Sequence, residues 1–283
     1  MVTEQGLYRP EFERDSCGFG LIAQMDDQAS HALVKSAITA LERMTHRGAI
    51  AADGKTGDGC GLLMKKPEGF LRRVAAEADI TLGNLPFCAG NLFLNPDEVK
   101  AQRAREVLSE ACAAQGLTLQ GWRVLPTDNS ALGEEALRAI PRFEQVFITS
   151  PAQLPKLVFE LKLFKARRAA EKQLEAEGDS LFYVTSLSCR VLVYKGLVMP
   201  EYLPTFYRDL QAEDLETSIC VFHQRFSTNT LPKWHLCHPF RYLAHNGEIN
   251  TISGNRQWAQ ARASKYECKD LPDIREIAPL VNM

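Results

Sequence analysis

The chain has 283 residues, 45% of them hydrophobic and 24% charged, and a formal net charge of -2. That length supports one large core or two small ones, and the near-neutral balance gives no electrostatic footprint for nucleic acid or an anionic membrane surface. Eight scattered cysteines with no Cys-x-x-Cys pair predict reduced thiols in the cytoplasm, and no apolar run reaches the ~20 residues that would cross a bilayer.

Residues 1–16 carry Glu4, Glu11, Glu13 and Asp15 and no apolar stretch, which argues against a secretory signal and an organellar transit peptide. They read as a short leader. Next comes Cys17-Gly18-Phe19-Gly20-Leu21-Ile22-Ala23, a cysteine at the head of an apolar strand. On its own, Cys17 is a small buried hydrophobe. If the leader is removed, it carries a thiol and an α-amine on one residue, and an amine titrating near ~7.7–8.0 is a ready general base for its own nucleophile.

A helix is expected after Ser30, with Val34, Ala37, Ile38, Leu41 and Met44 on one face and Arg47-Gly48 closing it. The glycine-rich run Asp53-Gly54-Lys55-Thr56-Gly57-Asp58-Gly59-Cys60-Gly61 then leads into a strand. It is no P-loop: Ala49 stands where the first glycine belongs, and the order is helix, loop, strand. Strands are expected over 86–95, 121–125 and 145–148, long helices over 97–116 and 157–176, and a helical turn or a loop over 131–140. A β-hairpin is expected over 181–197, a strand over 216–226, another over 240–245, and a helix over 250–265. Many strands among a few long helices, without βαβ alternation, predict an α+β fold of stacked sheets sandwiched by helices.

Two polar stretches at strand ends carry the chemistry. In His223-Gln224-Arg225-Phe226-Ser227-Thr228-Asn229-Thr230, Arg225 ends an apolar strand and needs an anion, either a structural acid or the carboxylate of a small substrate. Asn246-Gly247 is a hairpin signal, and equally a pair of donors, one amide side chain and one unobstructed N–H, of the kind an oxyanion hole requires. His235, Cys237 and His238 lack the ligand spacings of a zinc site, so no metal is expected.

Together with His46-Arg47-Gly48-Ala49, Thr56-Gly57-Asp58-Gly59 and Arg241-Tyr242-Leu243-Ala244-His245-Asn246-Gly247-Glu248-Ile249-Asn250-Thr251, these motifs resemble the class II glutamine amidotransferases of the Ntn-hydrolase fold. Within that group they resemble most the amino-terminal domain of glutamate synthase large subunits, whose nucleophile and arginine strand are unusually far apart in the chain. The resemblance implies a four-layer α/β/β/α sandwich of two antiparallel sheets over residues 17–283. It also implies hydrolysis of L-glutamine to L-glutamate and ammonia, with autocatalytic removal of residues 1–16.

By resemblance, Cys17 is the nucleophile and Arg225, assisted by Thr228, binds the glutamine α-carboxylate. Asn246 and Gly247 form the oxyanion hole, and Arg47 is a supporting residue. The family's aspartate for the substrate ammonium falls shortly after Asn282, past Met283, and the chain reads as one that continues. The resemblance further implies a synthase domain on the same full-length chain that aminates 2-oxoglutarate, with FMN and a 3Fe-4S cluster there and none in this segment. A small NADPH-oxidising subunit is the expected partner. Two rival readings are a stand-alone N-terminal-cysteine amide hydrolase and a catalytically silent glutamine-binding module.

Overall fold

The computed structural model describes residues 18–151, 153–224, 231–240, 252–272 and 274–279. Strand β1 (Phe19–Ala23) leads to α1 (His31–Glu42), β2 (Cys60–Lys65) and α2 (Glu68–Glu77). There follow β3 (Phe87–Leu94), α3 (Glu98–Ala114), β4 (Thr118–Val124), α4 (Glu134–Arg138), β5 (Arg142–Thr149) and α5 (Lys156–Ala176). Next are β6 (Tyr183–Ser188), β7 (Val191–Gly196), α6 (Leu203–Phe206), β8 (Ile219–Gln224) and α7 (Ile252–Arg262). The strands form two four-stranded sheets, sheet 1 in the order β1-β8-β2-β7 and sheet 2 in the order β4-β5-β3-β6, and every pairing is antiparallel.

The expected helices form for the expected reasons. The Ser30 side chain accepts from Leu33 N and caps α1, which buries Leu33, Val34, Ala37, Ile38 and Leu41; such a cap contributes about 1 kcal/mol. Asp97 caps α3 in the same way through Val99 N and Lys100 N. Residues of α1, α2 and both sheets share one core, with Leu62 and Tyr194 of sheet 1 joined to Phe87, Phe93, Phe143 and Phe147 of sheet 2. A second core lies between Cys88, Leu92, Leu94, Val146 and Ile148 of sheet 2 and the inner faces of α3 and α5. This is the α+β sandwich expected.

Three local expectations change. Helix α1 ends at Glu42 with Arg43 as its cap, and Thr45–Arg47 forms a separate 3-10 turn. Gly48, at φ -91 and ψ 165, is therefore extended rather than a left-handed helix terminator. The segment 181–197 is not a hairpin, because β6 pairs with β3 in sheet 2 and β7 with β2 in sheet 1. Side chains divert the chain: the buried Glu160 carboxylate accepts from Ser188 Oγ at 2.8 Å and Cys189 N at 2.6 Å. Ser188 Oγ in turn accepts from Arg190 N and Val191 N. Where a hairpin would pair backbones, Ser186 Oγ accepts from Val193 N and Asn91 Nδ2 donates to Val193 O. The third change is α2, which the sequence reading lacks, and which buries Phe70, Leu71, Val74 and Ala75. Of the strand expected over 240–245, Phe240 is in no strand and residues 241–245 lie outside the described residues.

Candidate active site

Strand β1 pairs with β8 so that Phe19 faces His223, and Gln224 N donates to Gly18 O at 2.5 Å. The immediate chain neighbours of Cys17 and Arg225 are thus hydrogen-bonded to each other at one end of sheet 1. Cys17, Arg225, Thr228, Asn246 and Gly247 themselves lie outside the described residues. The structure describes the frame on which their neighbours sit, together with Arg47.

That frame is made by taking side chains away. A Cβ on Gly18 would lie 2.1 Å from Gln224 O, and one on Gly48 would lie 2.0 Å from Gln224 Nε2 and 3.0 Å from Asp58 Oδ1. Gln224 is therefore approached from two sides, its side chain by the backbone of the Arg47-Gly48 turn and its carbonyl by Gly18. Gln224 is 2% exposed, and among the described residues its Oε1 has no hydrogen-bond partner, an unusual condition for a buried acceptor. Arg47 is half-buried at the end of its turn, with its backbone N–H on Met44 O at 2.7 Å.

The glycine-rich loop holds Asp58 against this turn. Asp58 N donates to Ala49 O at 3.1 Å, and Ala51 N to Thr56 O at 2.9 Å, so the loop doubles back along the residues after Gly48. Its tip is fixed by Asp53, whose carboxylate accepts from Lys55 N, Thr56 N, Thr56 Oγ1 and Glu135 N. These hydrogen bonds, that from Thr56 first, hold its carboxyl well below the usual carboxylate range. Gly59 sits at φ 114, and a Cβ there would be 2.6 Å from Cys237 Sγ, so both backbone conformation and space require glycine.

Beyond Gly59 the segment 231–240 packs under the same end of the sheet. Trp234 donates to Ala136 O at 3.2 Å, the His223 and His238 rings stack at 4.5 Å, and His238 meets Phe240 edge-on at 4.5 Å. Among the described residues, no three His, Cys, Asp or Glu side chains are grouped to hold a metal ion.

The thiols differ in kind. Cys60, Cys88, Cys112, Cys189, Cys220 and Cys237 are free and buried. Burial is the first cause that pushes each thiol up, to about 12 for Cys112, Cys189, Cys220 and Cys237 and well above the ordinary thiol range for Cys60 and Cys88. A thiol in that state holds its proton at neutral pH and is a poor nucleophile. Cys268 is exposed. No described helix is long and apolar enough to cross a membrane.

The sequence reading located the motifs but missed Gln224 and Lys195, a fully buried lysine on β7. Their single signal was position: Gln224 directly precedes Arg225, and Lys195 interrupts an apolar strand.

Residues 17–283 match the family of class II glutamine amidotransferases, and the chain belongs to that family. Its similarity is to glutamate synthases. The NADPH-type large chain of Bacillus subtilis (strain 168) is 38% identical over 288 residues, covering 100% of this chain and 19% of the relative. That of Azospirillum brasilense is 39% identical over 267 residues, covering 94% and 18%. The ferredoxin-dependent glutamate synthase of Pyropia yezoensis is 37% identical over 287 residues, covering 100% and 18%. The chain therefore spans about a fifth of the length of these curated relatives.

Proposed function

We propose that this chain is the glutaminase part of a glutamate synthase, with Cys17 as nucleophile. The observation that carries the reading is the ladder contact between Gly18 and Gln224, which puts the chain neighbours of the proposed nucleophile and of the proposed carboxylate-binding arginine side by side. The family match supports it further by beginning at Cys17.

On this reading Cys17 Sγ attacks the γ-carbonyl carbon of L-glutamine while its own α-amine takes the thiol proton. The oxyanion is held by Asn246 and the Gly247 N–H. The amine returns the proton to the departing nitrogen, ammonia leaves, and a γ-glutamyl thioester remains on Cys17. Water, deprotonated by the same amine, opens the thioester to glutamate and free thiol. Arg225, with Thr228 beside it, binds the substrate α-carboxylate as a fork, and Arg47 supports the nucleophile's surroundings. While residues 1–16 are attached, the Cys17 nitrogen is an amide and no base, so removal of the leader precedes activity.

In the longer protein the ammonia passes to a synthase domain that aminates 2-oxoglutarate. FMN and a 3Fe-4S cluster belong to that part, and a small NADPH-oxidising subunit is its partner. The location is cytoplasmic. Two replacements test the glutaminase step. Cys17→Ala removes turnover of glutamine with the fold kept, and Cys60→Ala, which deletes a thiol pushed far up by burial, leaves turnover within about twofold. Full glutaminase activity in Cys17→Ala contradicts the reading.

A further inference from the structure

The segment 231–240 is fastened to the rest of the molecule by side chains. Among the described residues, the N–H groups of Leu236 and Cys237 donate within the segment itself, to Lys233 O at 3.0 Å and Trp234 O at 3.4 Å, and Cys237 Sγ also turns to Lys233 O. Trp234 anchors the near end: it is buried against Phe93, Phe143 and Phe206, and its indole N–H donates to Ala136 O at 3.2 Å. Farther along, the fastening comes from Lys195 of β7. Its ammonium donates to the His235 carbonyl at 3.0 Å and stands 4.3 Å from the centroid of the Phe240 ring. Between these two contacts His238 stacks on His223, and the His238 carbonyl lies so close to β2 that a Cβ on Gly61 would be 2.8 Å from it.

Lys195 is a costly group to bury in this place. It is 1% exposed, and besides the segment its polar neighbour is the Tyr183 hydroxyl of β6 at 3.2 Å. No carboxylate reaches it among the described residues. A cation buried without an acid is unfavourable, and it is relieved either by losing its proton or by gaining water. Water can come where the cover is a short piece of chain with no backbone ladder to break. We propose that residues 235–240 form a strap, hinged at the Trp234 anchor, which closes firmly over the neutral Lys195 amine and is loosened by the Lys195 cation.

The groups around Lys195 set the window in which this is visible. Burial is the first cause that lowers Lys195 to about 7, from an ordinary value of 10.5. Between those values the closed strap binds fewer protons than the open one, so closure tightens as pH rises from about 7 and is weakest below it. Facing Lys195 from the strap, His235 is pushed down from 6.5 by burial, then by Lys195 and Lys233, so its charging loosens the strap only at lower pH. Cys237 is pushed up from 9.0 to about 12 by burial, so its ionisation loosens the strap only at higher pH. Tyr183 on β6, with Arg167 and Glu171 of α5 acting on it, is pushed up from 10.0 by burial. From β2 the neighbour is the uncharged Gly61. The interval from about pH 7 to about pH 8.5 therefore belongs to Lys195.

Hydrogen exchange of the full chain, read by mass on a peptide holding Leu236 and Cys237, tests the strap. Protection there should be lower than in β5 at both ends of that interval and should rise about tenfold across it. Lys195→Met removes the charge and should hold protection at or above the parent's alkaline level, independent of pH. Lys195→Arg stays charged and should keep the strap at or below the parent's neutral level, again without a slope. A flat profile in the parent overturns the proposal, as does the parent's slope persisting in Lys195→Met. Strap amides as protected as those of β5 overturn it too, since the segment would then open only when the whole protein unfolds. Should Lys195→Met fail to fold, the parent profile and Lys195→Arg still decide between these outcomes.

Discussion

Arg123, part-buried, and Lys195, fully buried, are cations on opposite sheets. The Arg123 guanidinium forms a two-pronged pair with Asp209 at 2.6 and 2.9 Å, and Asp209 also accepts from Tyr194 Oη at 2.9 Å. Arg105 and Glu144 make a similar fork at 2.6 and 2.9 Å, and Glu160 accepts two hydrogen bonds where the chain leaves sheet 2. Each of these polar groups is closed by a partner. At the glycine-lined end of sheet 1, among the described residues, Lys195 has no carboxylate partner and Gln224 Oε1 no donor. Open buried atoms also occur elsewhere, as at Asp179 Oδ2, so the comparison is between these particular groups: the paired ones hold the fold, and the open two lie near the chain neighbours of the candidate site.

This contrast is sharpest at Asp209. Asp209→Ala leaves the Arg123 charge and the Tyr194 hydroxyl buried without their acceptor, so it should cost about 3–5 kcal/mol of unfolding free energy, read from a denaturant titration. A loss under about 1 kcal/mol would mean that the Arg123 pair behaves as a surface ion pair and that the contrast between the two regions is not real. Gln224→Met should act in the opposite sense. It replaces an amide whose oxygen is unpartnered with an apolar chain of similar length, so stability should change by under about 1 kcal/mol or rise. Glutaminase kcat should nevertheless fall, because the packing between Gly18 and Gly48 changes beside the nucleophile strand. A large stability loss with normal turnover would assign Gln224 to the fold instead.

The same contrast explains what could be read from the sequence. Caps and helical spacing are local, so α1, α3 and α5 were legible from Ser30, Asp97 and their apolar faces. The helix at Glu68–Glu77 carried its signal in Phe70, Leu71, Val74 and Ala75 but has no side-chain cap to mark its start. The β6–β7 corner misled because its aromatic and β-branched residues fit a hairpin, while the groups that send β7 to the other sheet, Asn91 and Glu160, are distant in the chain. The motif residues of the candidate site stood out as residue types at strand ends. Lys195 and Gln224 did not, since what distinguishes them is tertiary: among the described residues no carboxylate faces Lys195 and no donor reaches Gln224 Oε1.

The central proposal is that Cys17, the residue before Gly18, carries the one activated thiol, while the buried thiols are silent. Treatment of the leader-free chain with a glutamine-like electrophile, followed by peptide mass mapping, tests it directly. The account predicts a single adduct, on Cys17, suppressed by L-glutamine. An adduct on any of the buried cysteines that glutamine suppresses, with Cys17 unmodified, would contradict it.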